Sequence, residues 1–195
     1  MAKLVNGKLE YDLITTSLVV QASYLASNQD EHIVDDVISG YTGLLPCNWG
    51  SPPLSHTEIG FFVDTELWFF SSTSRKELNG GTGTRWSKAN FVLRNPDRWK
   101  LQAKWFAAAD IHRQIKRANS IIGQPYDFAG VFADFLLPLD LIKKKKSIYC
   151  SKAVRFALTS EHIRVSPRRQ YKWAQKNGWK EVVCTKSFLA KVLTE

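Results

Sequence analysis

The chain is poor in cysteine. It holds three among 195 residues, Cys47, Cys150 and Cys184, and no two have C-x-x-C spacing. A small odd number excludes a disulfide scaffold and fits a reducing compartment. The wide spacing excludes a structural zinc site. No apolar run approaches the roughly 18–20 residues that a membrane helix needs. No segment of 20–50 residues repeats, which excludes solenoids and propellers. Seven Pro and eleven Gly are too few for collagen-like or low-complexity classes. No zinc-finger spacing, RNP-type aromatic motif or basic heptad array is present. Gly80, Gly81 and Gly83 do not follow the phosphate-loop pattern.

What is present describes a globular domain. Hydrophobic residues make up 44% and aromatic residues 12%, seven of them Trp, so the chain carries enough apolar surface to fold. The length fits one domain, 1–195, able to bury its own core. Twenty-seven Lys and Arg against eighteen Asp and Glu give a net charge of +9. Such a balance favours polyanions, whether nucleic acid, anionic lipid or cell wall, without choosing among them. Near the N-terminus, Glu10 and Asp12 sit where a leader peptide needs positive charge. The stretch is therefore expected to belong to the fold, with a cytoplasmic location or delivery by another route.

Residues 11–28 carry apolar positions near a helical period and predict a helix. Residues 31–39 suit a short strand or turn, and 40–55 read as a Gly/Pro-rich loop. The segments SHTEIGFFV and ELWFFSS flank Asp64-Thr65 and predict a hairpin. Residues 75–87 read as a loop in which Thr84, Arg85 and Trp86 are placed to touch substrate. Residues 91–93 are expected as a strand pairing with 99–106. Residues 107–122 predict a helix with a basic face, stopped by Gly123-Gln124-Pro125. A second helix is expected over 126–137, an exposed basic loop over 143–146, and a helix over 149–159. Beyond it lie Arg164, Arg168 and Arg169, then a strand over 181–184. Strands first and helices after make this an α+β chain.

Cys150 opens the helix over 149–159. A helix N-terminus offers unpaired N–H groups and a positive dipole end, both of which favour a thiolate nucleophile. A lone helical Cys also reads as a small buried hydrophobe. His is the usual proton-transfer partner of such a thiol. His32, His112 and His162 lie in polar surroundings, whereas His56 opens an apolar strand after the Gly/Pro-rich loop. Taken alone, His56 reads as a polar cap on that strand.

The segments SHTEIGFFV, WFFSSTS, GQPYDF and YCSKAV occur in this order. Together they resemble the circularly permuted papain-like fold, in the YiiX-like branch of the NlpC-type superfamily, over roughly residues 35–160. Residues 161–195 lie outside the resemblance, as a basic C-terminal extension packed on the domain. The resemblance implies an antiparallel sheet packed against the helix that bears the nucleophile. It implies Cys150 as nucleophile and His56 as base. Ser71 falls at the third position, which orients the imidazole, with Ser72 as the register alternative. An acidic residue is common there, so Ser71 is a departure: a hydroxyl holds no charge. Glu58, two residues from His56 on the same strand face, is the other candidate; by itself it reads as a charge at a solvated strand edge. Tyr126 and Asp127 match the family's Tyr-Asp pair and imply cleft-lining positions; Tyr126 also reads as a core tyrosine. The implied activity is hydrolysis or acyl transfer at amide, ester or thioester bonds through an acyl-enzyme. The implied substrates are peptide, cell-wall or lipid-type, with no cofactor and no metal. The rival expectations are a catalytically inactive binding module on the same fold, and a nucleic-acid-binding protein using its basic clusters.

Overall fold

A computed structural model describes residues 1–26, 52–74, 82–131 and 147–183. The strands are β1 (Lys3–Val5), β2 (Lys8–Glu10), β3 (Ile14–Leu25), β4 (Leu54–Val63), β5 (Glu66–Thr73), β6 (Gly83–Lys88), β7 (Trp99–Trp105) and β8 (Lys180–Val182). The helices are α1 (Ala89–Val92), α2 (Ala108–Ser120), α3 (Cys150–Thr159) and α4 (Pro167–Lys176). The strands β1 and β2 form a small hairpin. The other six make one antiparallel sheet in the order β6-β5-β4-β3-β7-β8. The class is α+β. Among the described residues no helix is long and apolar enough to cross a membrane.

The sheet is covered on both faces. On one, Val19, Ile59, Phe61 and Phe70 pack under Ile111 and Ile115 of α2 and Ala153, Val154 and Ala157 of α3. On the other, Val20, Ala22, Phe62, Phe69 and Leu101 pack against Val92 and Leu93. Phe61, Phe69 and Phe70 are fully buried, each stabilising the fold by about 2–3 kcal/mol.

The N-terminal helix expected over 11–28 is a strand. β3 pairs with β4 on one side and β7 on the other, so Val19 and Val20 are both buried, on opposite faces. A strand covered on both faces loses the alternation that identifies strands and shows a continuous apolar run instead. Its β-branched Ile14, Thr15, Thr16, Val19 and Val20 suit a pleated backbone. The strand expected over 91–93 is the end of α1 and the turn after it. The partners of β7 are accordingly β3 and β8.

The β4–β5 hairpin forms as expected. Asp64 and Thr65 both take positive φ, 46° and 69°, the handedness a two-residue hairpin turn needs. Asp64 further accepts from the backbone N–H groups of Asp12 and Leu13, tying the start of β3 to the turn. The helices over 107–122 and 149–159 are α2 and α3. In the tail, α4 was not expected, although its start is written in the sequence. Ser166 accepts from Arg169 N–H at 3.2 Å, and Pro167 follows in the first turn. Of the helix expected over 126–137, residues 128–131 are helical and the remainder lies outside the described residues. So do Cys47, Cys184, His32, Gly80, Gly81, and the expectations for 31–39 and 143–146.

Candidate active site

The site begins where β4 begins. His56 pairs with Tyr24 of β3, and its ring lies edge-on to Trp99 at 6.3 Å between centroids. The imidazole is 14% exposed. Residues two apart on a strand share a face, so Glu58 stands beside His56. His56 Nε2 lies 3.1 Å from Glu58 Oε1, within hydrogen-bond range. Glu58 is 4% exposed. It is therefore no solvated edge charge, contrary to expectation. The reason is topological: β4 lies inside the sheet between β3 and β5, and Glu58 is set opposite the small Ala22.

Cys150 is the first residue of α3 and is 2% exposed. The chain entering it is held on both sides. The Ser72 hydroxyl donates to Ile148 C=O at 2.6 Å, and Ile148 N–H donates to Pro125 C=O at 3.1 Å. After these, Val165 N–H donates to the Tyr149 hydroxyl at 3.1 Å, and the Ser151 hydroxyl donates to Val165 C=O. Ser72 lies near the end of β5, beside the start of β4, so these bonds bring Cys150 to the end of the sheet that carries His56. Thiol and imidazole interact there. Burial pulls the His56 pKa down, but the charge and hydrogen bond of Cys150, then those of Glu58, outweigh it and push it up to about 9. The imidazole thus has both a thiol and a carboxylate as interaction partners.

Ser71 is buried beside them. Its Oγ lies 3.5 Å from His56 Nε2, at the limit of a hydrogen bond, and it donates to Thr57 C=O at 2.6 Å. A cavity of about 60 Å³ adjoins the pair, lined by Tyr24, His56, Glu58, Phe91, Arg94 and Trp99.

The residues expected to touch substrate are placed otherwise. Trp86 is a core residue at 3% exposure. It pairs with Phe70, packs at 5.9 Å from Phe61 and donates its indole N–H to Asn119 Oδ1 at 2.9 Å. Asp127 Oδ1 accepts from Gly130 N–H at 2.8 Å and so caps the turn over 128–131. A Cβ on Gly130 would stand 2.2 Å from Asp127 Oδ2, so the carboxylate and the glycine fit as a pair. Tyr126 packs with Val131 and Tyr149, 8% exposed, in a small cluster next to the chain entering Cys150. His112 is bonded to the Tyr11 hydroxyl at 2.5 Å, and His162 stacks on Phe156; neither enters the site. Among the described residues no three His, Cys, Asp or Glu side chains are grouped as a metal ion would need.

Two residues that the sequence reading weighed but ranked second have defined contacts. Ser72, weighed there only as a register alternative, anchors the entry to Cys150. Glu58 contacts the imidazole, and its signal was present in the His-x-Glu spacing. No protein family, curated protein or solved structure matches the chain.

Proposed function

We propose that the protein is a cysteine-dependent hydrolase or acyltransferase of the permuted papain-like class. One observation carries the reading: a buried imidazole that interacts with both the thiol at a helix N-terminus and a buried carboxylate. In this reading the Cys150 thiol gives its proton to His56, and the thiolate attacks the carbonyl carbon of an amide, ester or thioester. The carbonyl electrons move to oxygen, where the Cys150 backbone N–H is one donor that stabilises the oxyanion. The oxyanion collapses, the bond to the leaving group breaks, and His56 returns its proton to that group. A water, or an acceptor hydroxyl or amine, then loses a proton to His56 and attacks the thioester, releasing acid or transferred product and restoring the thiol. With Nε2 turned to Glu58, Nδ1 is the nitrogen that exchanges the proton. The net charge of +9 suits acidic peptide, cell-wall or lipid-type acyl substrates.

The test is alkylation of the folded protein by iodoacetamide, followed by mass spectrometry from about pH 5 to pH 10. Cys150 is expected to react well below the free-thiol pKa of about 8.5, and His56→Ala to remove that advantage. Equal rates for Cys150 before and after His56→Ala would sink the catalytic reading and leave a binding module on the same fold.

A further inference from the structure

We infer that Glu58, and not Ser71, is the positioning residue that holds His56 in register with the Cys150 thiol. The inference rests on the catalytic reading above and adds a residue to it, on the same strand as the base instead of on its hairpin partner.

Four observations carry it. The first is distance: Glu58 Oε1 lies 3.1 Å from Nε2 and Ser71 Oγ lies 3.5 Å from it. One N–H serves one strong acceptor, and the nearer, charged one takes it. The second is the role left to the Ser71 hydroxyl: its proton goes to Thr57 C=O at 2.6 Å, so toward His56 it can only accept, at 3.5 Å and without charge. The third is burial. The Glu58 side chain is only 6% exposed, and a carboxylate in that setting needs a cationic or hydrogen-bonding partner. His56 is the partner it faces. The fourth is rigidity. Both residues belong to one strand flanked by two others, so their spacing is fixed by the pleat and not by a mobile loop.

The chemistry requires this charge at one particular moment. Before attack, the imidazolium faces the Cys150 thiolate. When the thiolate attacks, its negative charge moves to the carbonyl oxygen, and until the leaving group takes the proton Glu58 is, among the described residues, the carboxylate that stands beside the imidazolium. A hydroxyl in the same place would orient the ring but offer no charge. The surroundings are otherwise short of compensation. From β3, Tyr24 faces the pair, with the Arg98 guanidinium 4.8 Å over its ring. From β5 come the neutral Ser71 and Thr73, from β7 Trp99, from the turn after α1 the cationic Arg94, and from α3 Cys150. Glu58 is the carboxylate that lines the cavity.

The experiment compares wild type, Glu58→Gln and Ser71→Ala. The alkylation rate of Cys150 by iodoacetamide is followed from about pH 5 to pH 10. In wild type the alkaline step reports loss of the His56 proton. Glu58→Gln is expected to move this step down by about one pH unit or more, the effect of removing an opposite charge at contact distance. Ser71→Ala is expected to leave it in place. Coincident profiles for Glu58→Gln and wild type, or a shift in Ser71→Ala alone, would overturn the inference. Should Glu58→Gln not fold, the wild-type protein decides. In ¹⁵N-histidine NMR, with His56 assigned by His56→Gln, the neutral ring is expected as the Nε2–H tautomer. The Nδ1–H tautomer would overturn the assignment. The two failures are separable: an unreactive wild-type Cys150 removes the catalytic reading, while the tautomer still reports on Glu58.

Discussion

Raising the pH through the His56 titration is expected to weaken the fold by an amount the site itself sets. The imidazole titrates at about 9 in the folded protein against 6.5 when unperturbed. A group whose pKa rises on folding stabilises the folded state fully below the unfolded value. That contribution drains away as pH climbs and is gone above the folded value. The window is therefore pH 6.5 to about 9. At about 1.4 kcal/mol per pH unit the ceiling is about 3 kcal/mol. The assay is urea unfolding of wild type and His56→Gln, followed by Trp fluorescence at intervals from about pH 6 to pH 9.5. Titrations shared by both proteins, such as those of the N-terminal amine and Asp64, cancel in the difference. Where the Cys150 thiol keeps its own proton, the advantage of wild type over His56→Gln should shrink by about 2–3 kcal/mol across the window, with m unchanged; a proton passed from thiol to ring within the folded state adds nothing to this slope. In a Cys150→Ser background the loss should be smaller, because the thiol supplies the larger of the two raising influences and Glu58 the lesser. Parallel stability curves for wild type and His56→Gln would refute the reasoning. They would mean that folding takes up no net proton at the His56–Cys150 pair.

Two further predictions concern the frame around the site. In Gly60→Ala the new Cβ would stand 2.7 Å from Phe69 Cε1 and 3.0 Å from Leu67 Cδ1, both buried, so a loss of about 1–3 kcal/mol is expected; thermal unfolding checks it, as a fall in Tm of several degrees. Arg155→Met breaks an interior chain in which Arg155 Nε donates to Gln170 Oε1 at 2.9 Å, Gln170 Nε2 to Gln21 Oε1 at 2.8 Å, and Gln21 Nε2 to Gln102 Oε1 at 3.1 Å. The orphaned Gln170 oxygen should cost about 1–3 kcal/mol, and faster amide exchange in α4 than in α2 would place the loss where the chain predicts it.

The elements that sequence reading placed well are those whose signals are local. The β4–β5 hairpin has two apolar runs around a polar two-residue turn. α2 has Ile111, Ile115 and Ala118 on one face and Gly123 with Pro125 after its end. α3 puts Cys150, Ala153, Val154 and Ala157 inward. The misread elements depend on what covers them. β3 shows no alternation because helices lie over one face and α1 with its turn over the other. α1 has only four residues, too few to display a period. α4 was passed over because its arginines read as a charged surface, yet Arg168 is 8% exposed and the helix buries Tyr171 and Ala174.

The error over β3 reached the site. Reading residues 11–28 as a helix removes the strand that flanks β4 on one side, and β4 then becomes an edge. On an edge, a glutamate two residues from a histidine is an ordinary solvated charge. Inside a six-stranded sheet, opposite Ala22, the same glutamate is a buried carboxylate in need of a partner, and the nearest cation-forming group is His56. The chemistry of Glu58 is thus fixed by a strand more than thirty residues before it in the chain. His56 and Cys150 were legible from their own neighbourhoods, as a strand start and a helix start. Glu58 was named beside them but its burial was not legible, because that burial, and with it the hydrogen bond to His56, follows from the strand β3.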